Sequence, residues 1–187
     1  MSLPLNVVAV SGNVAGPSRT ASLTHALLDE LQQHLPLTRH VVELESIATA
    51  LGTAPTRQHA SDALSRQLAR IESAELLLVV SPVYRGSYPG LLKHLFDLVD
   101  QHALIDVPVL LAATGGSERH ALMIDYQLRP LFSFFQALTL PVGVYASEAD
   151  FEDYQVTRPA LHSRIAPACK RAPRTLGSAE PTLKRIA

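Results

Sequence analysis

The sequence predicts a doubly wound α/β domain, a five-stranded parallel sheet with helices on both faces. Three observations lead there. Short runs that are apolar on consecutive residues, LLLVV at 76–80 and PVLLAAT at 108–114, are strands covered on both faces. They alternate with segments whose apolar residues recur at helical spacing, the pattern of right-handed crossover units. A chain of 187 residues, 47% hydrophobic and 18% charged, is long enough for one domain with a proper core.

Residues 5–11 (LNVVAVS) are the first strand, short, β-branched and apolar. Residues 20–35 follow as a helix, with Leu23, Ala26, Leu27, Leu31 and Leu35 at helical spacing. Residues 38–44 (TRHVVEL) read as a more polar strand near an edge, and residues 45–57, with Gly52 and Pro55, as a loop. An amphipathic helix at 62–73 places Leu64, Leu68 and Ile71 on one face. The third strand is 75–80, and the helix at 91–99 turns Leu91, Leu92, Leu95, Phe96 and Val99 inward. A fourth strand at 108–114, a helix at 117–138 and a fifth strand at 140–146 complete the sheet. A last helix is expected around 160–170; residues 1–172 form the domain and 173–187 a mobile, basic tail.

Composition excludes some functions. A formal net charge of −1 provides no basic field, so no nucleic-acid partner is expected. No apolar run approaches the roughly 20 residues of a membrane span. The opening MSLPLNVVAV lacks a charged leader region, so a cytoplasmic protein is expected. Cys169, the one cysteine, is expected to pack inertly or lie exposed near the C-terminus.

In such a sheet, ligands sit beyond the C-terminal ends of the strands, near the switch in strand order. Three unusual segments fall there. The first, SGNVAGPSRTAS at 11–22, opens a helix whose unpaired N–H groups and positive end suit a phosphate. Ser18, Thr20 and Ser22 add hydroxyl donors and Arg19 a charged fork. Plain capping by Ser18 or Thr20 is the competing reading. The segment fits neither GxxxxGK[ST] nor GxGxxG, which argues against an ATPase or a standard dinucleotide loop.

The second, SPVYRGSYPG at 81–90, offers backbone groups at Pro82, Val83, Tyr84 and Arg85 to the edge of a planar ring. Gly86 allows close approach, and Tyr84 or Tyr88 can cover a ring face; interface packing of the tyrosines is the alternative. The third, Thr114-Gly115-Gly116-Ser117, turns amides towards a ligand, as any tight strand-to-helix turn would. A phosphate cradle, a ring-lining loop and an amide-rich turn together suit flavin mononucleotide, FMN.

PSRTAS, SPVYRGSYPGLLKHLFDL and ATGGSERHALMIDYQLRPL resemble the flavodoxin-like NAD(P)H-dependent FMN reductases, and most closely the reductases of two-component alkanesulfonate and methanesulfonate monooxygenase systems. The likeness runs from about Val7 to Tyr154. Relatives commonly end the first strand in Gly-Ser, whereas here Asn13 follows Gly12, and the resemblance implies that its amide donates to the phosphate in place of the serine. An arginine often found before the second serine is replaced by the stretch Val14-Ala15-Gly16, leaving Arg19 to supply the charge. The resemblance implies that NADPH or NADH delivers hydride to FMN, a substrate or loosely bound group, and that reduced FMN passes to an FMN-dependent monooxygenase. The cofactors carry that chemistry, so no obligatory side-chain acid or base is expected. Arg85 is a candidate for contact with NADPH or the reduced flavin.

The fourth helix carries a separate signal. Ala121, Ile124, Leu128, Leu131, Phe135 and Leu138 form an apolar stripe, yet Pro130 lies within it. Proline has no N–H for the carbonyl of Tyr126 and clashes with it, which a π-bulge around Tyr126 would relieve; a simple kink is the alternative. In the sulfonate-system reductases a tyrosine looks to be inserted here, in a helix that forms the tetramer interface. That likeness implies a homo-oligomer, dimer or tetramer, and a flavin that departs.

Eight histidines show no HxH or HExxH spacing, so no metal site is expected; His94 and His120 read as polar surface, with His120 a lesser candidate near the flavin. No GxSxG turn supports Ser/His/Asp catalysis. The competing functions are a quinone, azo-dye or metal-ion reductase that keeps its FMN, and an electron carrier. Carriers are usually strongly acidic, and this chain is nearly neutral.

Overall fold

The computed structural model describes residues 4–178, with side chains through residue 172. Strands β1 (Leu5–Ser11), β2 (Leu37–Glu43), β3 (Leu76–Pro82) and β4 (Pro108–Gly115) pair in parallel in the order β2-β1-β3-β4. The fifth position is shared by two short pieces, β5 (Leu138–Thr139) and β6 (Val144–Ser147), which pair with successive parts of β4. The expected single strand at 140–146 is therefore corrected. Pro141 has no N–H for a ladder, and the chain leaves the sheet around it. With the two pieces counted as one, the order is that of the flavodoxin-like doubly wound fold.

Every residue of β3 is buried, and the pleat divides the core into two layers. Val8, Val10, Leu77, Val79, Val109 and Leu111 face one side, and Val7, Ala9, Leu76, Leu78, Val80 and Leu110 the other. The second side is covered by α1 (Arg19–His34) and, at the far end of the chain, α6 (Pro159–Ser178). The first side is covered by α2 (Leu44–Gly52), α3 (Asp62–Glu72), α4 (Gly90–Leu98) and the segment after β4. A short antiparallel pair, β7 (Phe151–Glu152) and β8 (Gln155–Val156), precedes α6.

Residues 45–57, expected as a loop, hold all but the first residue of α2 and the start of a 3₁₀ turn, Arg57–His59. Leu44, Ile47 and Leu51 are buried at helical spacing; the helix is only nine residues long and is stopped just before Pro55. The helix expected at 117–138 is broken into a 3₁₀ turn (Glu118–His120), a π-helical segment (Ile124–Leu128) and α5 (Arg129–Phe134). Arg129 N–H bonds back to Ile124 O, five residues away, and Pro130 follows at once. α6 runs past its expected end, so the first six residues of the segment assigned to the tail are helical; 179–187 lie outside the described residues.

Among the described residues no helix is long and apolar enough to cross a membrane. Cys169 is buried, with its thiol 3.7 Å from Leu27 O, and burial followed by the charge of Glu30 pushes it up to about 12, so it packs as an inert apolar group.

The first layer centres on three phenylalanines. Phe132 is fully buried and meets Phe96 edge to face at 4.9 Å between ring centres, with Phe135 alongside. Phe132→Ala is expected to remove about 3–5 kcal/mol of stability, read from urea unfolding. A loss under about 1 kcal/mol would mean that this cluster does not anchor α5.

Candidate functional site

The three segments beyond β1, β3 and β4 are joined by hydrogen bonds. Gly12 N–H donates to Val80 O at 2.8 Å, tying the first to the end of β3. Val83 N–H donates to Thr114 O at 2.8 Å, tying the second to the third. Thr20 Oγ1 and Thr114 Oγ1, both buried, lie 2.7 Å apart and tie the third to the first. Since β1 and β3 flank the point where strand order reverses, this junction sits at the topological switch.

In the first segment, Ser18 is the N-cap of α1, its Oγ accepting from the N–H groups of Thr20 and Ala21. Thr24, one turn on, donates to Thr20 O at 2.8 Å and Ser11 Oγ at 3.3 Å. Asn13 is buried. Its Oδ1 accepts from Ser11 Oγ at 2.7 Å, and its Nδ2 points to Glu45 Oε2 at 3.3 Å. The guanidinium of Arg19 pairs with Glu148 and stacks over the ring of Tyr154, 5.3 Å from its centre, while its Nε is buried without an acceptor.

The second segment forms a tight hairpin. Tyr84 and Ser87 exchange both backbone hydrogen bonds, and the central residues Arg85 and Gly86 have φ of 53° and 86°. Two left-handed central residues give the turn type that matches strand twist, and Gly86 makes it accessible. The turn presents Arg85 at its tip and leaves Tyr84 half exposed beside it, after Pro82 and Val83 complete the strand exit. Ser87 Oγ donates to Gln127 Oε1 at 3.0 Å, which fastens the hairpin to the π-helical segment.

In the third segment, a Cβ on Gly115 would run into the hydroxyl of Tyr145, with ring carbon Cζ at 3.2 Å, whereas Gly116 has open space around it. The Tyr145 hydroxyl donates to Ser117 O at 2.5 Å, so this ring from β6 holds the Gly-Gly turn from below. Burial, then the charges of Glu118 and Asp150, raise the Tyr145 phenol above its ordinary 10.0. It therefore remains a donor at neutral pH.

The sequence reading did not single out Glu45, Glu148, Tyr145 or Tyr154. Glu148 had one available signal: it follows the fifth strand position and so shares the sheet edge of the other loops. His94 is structural, its Nε2 lying 2.9 Å from Ala54 O and 3.1 Å from Leu51 O, which makes that nitrogen a donor joining α4 to the end of α2. His120 lies exposed in the 3₁₀ turn after the third segment. Among the described residues no group of three or more His, Cys, Asp or Glu is placed to hold a metal ion. Beside the hairpin, a groove of about 610 Å³ is lined by Tyr88, Tyr126, Gln127, Pro130 and Phe134 among others. Tyr126 and Phe134 are 71% and 66% exposed, so much of this face is apolar surface in contact with water.

Two outcomes test the Tyr145 support. Gly115→Ala is expected to destabilise the protein by about 1–3 kcal/mol through overpacking, with part recovered on adding Tyr145→Phe; Gly116→Ala is expected to change little. Full additivity of Gly115→Ala and Tyr145→Phe in unfolding experiments would contradict the contact. Because the folded phenol is raised, its stabilisation is complete below the unfolded value near 10.0 and is lost as pH climbs through the folded value. The wild type should accordingly lose stability above pH 10 more steeply than Tyr145→Phe, and parallel pH profiles would exclude the effect.

Comparison with known proteins identifies the family. Residues 5–152 match the family model for NADPH-dependent FMN reductase. The NADH-dependent FMN reductase SfnF of Pseudomonas fluorescens (strain Pf0-1) is 61% identical over 187 residues, 100% of each chain. An FMN reductase (NADPH) of Pseudomonas aeruginosa is 60% identical over 184 residues, 98% of this chain and 99% of that one. Among solved structures, an oxidoreductase from Corynebacterium diphtheriae superposes with a TM-score of 0.83 at 28% identity, covering 96% of this chain and 100% of its own. The apo form of the NADH:FMN oxidoreductase EMOB gives 0.81 at 25% identity, covering 95% and 92%. The match spans the strands and all three connected loops, and the chain belongs to the NADPH-dependent FMN reductase family.

Proposed function

We propose that this chain, an NAD(P)H:FMN oxidoreductase by family, takes FMN as a substrate that arrives oxidised and leaves reduced, for use by an FMN-dependent monooxygenase. The observation that carries this reading is the junction of three loops at one sheet edge through Thr20, Val83 and Thr114. The site suits FMN through the start of α1 with Arg19 beside it for the phosphate, a hairpin at 84–87 for the ring edge, and an open Gly116 in an amide-rich turn. Ser18 itself caps the helix, and the hydroxyls of Thr20 and Ser22 are engaged by Thr114 and by Ser18 O. When bound, FMN supplies a ring that accepts hydride from the nicotinamide.

The protein's part is to bind, orient and exclude water. Pro82, Val83, Tyr84, Arg85 and Gly86 would hold the ring edge, with Thr114, Gly115, Gly116 and Ser117 closing the site from the next strand. Asn13 shapes the first loop from within, through Ser11 and Glu45, instead of presenting its amide outward. Stacked, aligned rings are sufficient for hydride transfer, and the reading requires no side-chain proton donor.

The exposed face around Tyr126 and Phe134 is taken as the contact with further copies of the chain. It adjoins the hairpin through Ser87 and Gln127, so assembly and flavin site are neighbours. The sulfonate-system assignment rests on the likeness of the three loop segments to reductases of those systems. Names of relatives divide between NADH and NADPH at nearly equal identity, so nucleotide preference is a quantity to measure.

Oxidation of NADH and NADPH by the purified protein, with and without added FMN, tests the reading. A rate that saturates with free FMN, from protein carrying no stoichiometric flavin, is expected. A yellow protein that turns over only on adding a quinone or dye would identify a resident cofactor and reject the reading. Arg85→Ala is expected to slow turnover or raise the apparent KM for the nicotinamide nucleotide; unchanged kinetics would remove Arg85 from the site.

A further inference from the structure

We propose that the Arg19 guanidinium is held off the phosphate cradle by Glu148 and Tyr154, which act as positioning residues, and that this hold sets how tightly a flavin's 5′-phosphate is retained. The proposal rests on the FMN reading above.

Arg19 is the first residue of α1, directly after the N-cap Ser18. A phosphate docked at the positive end of α1 therefore lies within reach of its side chain. The guanidinium is turned instead to Glu148, 129 residues along the chain, and lies over the Tyr154 ring. This satisfies the fork only in part, since Nε is buried with no acceptor. A phosphate offers several acceptor oxygens to a planar fork, so it competes with Glu148 for the same group.

The partner segment is itself fixed. Glu148 opens the 3₁₀ turn Glu148–Asp150, closed by a capping box in which Ser147 N–H donates to Asp150 Oδ2 at 2.9 Å. Arg164 Nη2 holds the same carboxylate oxygen from α6 at 2.6 Å. Tyr154 follows Asp153 in the β7–β8 turn, with φ of 64° and 46° respectively. Two successive left-handed residues without a glycine are costly, and they deliver this ring to Arg19. Glu148 is more than half exposed, so the hold is moderate and reversible. The cation has two alternative partners, and a phosphate shifts it from one to the other.

The test is a double-mutant cycle read by flavin binding, using fluorescence quenching for the dissociation constant and stopped flow for the release rate, with FMN and with riboflavin, which lacks the phosphate. Glu148→Gln is expected to tighten FMN about fivefold and slow its release, leaving riboflavin unchanged. Arg19→Met should weaken FMN and abolish the gain from Glu148→Gln, again without effect on riboflavin, which also reports that the variants are folded. Unchanged FMN affinity in Glu148→Gln overturns the proposal. So does a gain that persists in the Arg19→Met background, because removal of one negative charge then acts through space. A wild-type protein that binds neither flavin refutes the FMN reading and takes this proposal down with it.

Discussion

The hydroxyl pair Thr20–Thr114, 2.7 Å apart and shut away from water, is the contact on which the ligand edge depends. Thr114 sits at the end of a strand buried along nearly all its length, so its position is set by the sheet and not by the loops. From there its carbonyl receives Val83 N–H and its hydroxyl meets the first turn of α1. A buried hydroxyl left without its partner costs about 1–3 kcal/mol, more than a typical hydrogen bond contributes when made. The three loops are thus locked in one mutual arrangement by the fold itself.

A second constraint comes from two irregularities that satisfy each other. Pro130 cannot donate an N–H into the helix, and the backbone before it widens into a π-helical turn; Pro141 interrupts the fifth strand position in the same way. Arg129, at the end of the π-helical turn, donates from Nη1 to Leu140 O at 3.0 Å, at the strand break. Ile124, at the start of that turn, packs so close to Gly143 that a Cβ there would lie 2.8 Å from Ile124 Cγ2. The bulge and the break are one packing unit. It pushes Tyr126 outward, beside Gln127 and the hairpin that it fastens.

Legibility in the sequence followed the range of the physics involved. The four long strands were readable because burial on both faces leaves an unbroken apolar run, visible in LLLVV without neighbours. The three loop segments were readable because glycine, proline and hydroxyl residues cluster where the topology requires ligands. α2 was obscured because Gly52 and Pro55 lie close behind a helix of nine residues, and turn residues outweighed the spacing of Leu44, Ile47 and Leu51. Pro130 announced a disturbed helix and Pro141 a break that the reading of one strand at 140–146 passed over, whereas the packing of Ile124 against Gly143 that joins the two irregularities lies outside any local window. The partners of Arg19 were beyond reach for the same reason: an ion pair between positions 19 and 148 is a product of the fold.

Retention of a flavin nucleotide and its release make opposite demands on the first loop. A resident cofactor is best served by a cation committed to its phosphate, because charge-assisted hydrogen bonds are roughly twice as strong as neutral ones. Here the first two loop segments, 11–22 and 81–90, contain two cations, Arg19 and Arg85. Arg85 stands at the tip of the hairpin, and Arg19 is engaged by Glu148 and Tyr154. Asn13 occupies the position where relatives commonly carry a serine, and its amide is spent on Glu45. Both groups are engaged within the fold, so an anion at the start of α1 would have to compete with Glu148 for Arg19. The loop shared with the family thus carries, at Asn13 and Arg19, internal contacts that compete with a bound anion, and these are the physical ground for the proposal that the flavin passes through.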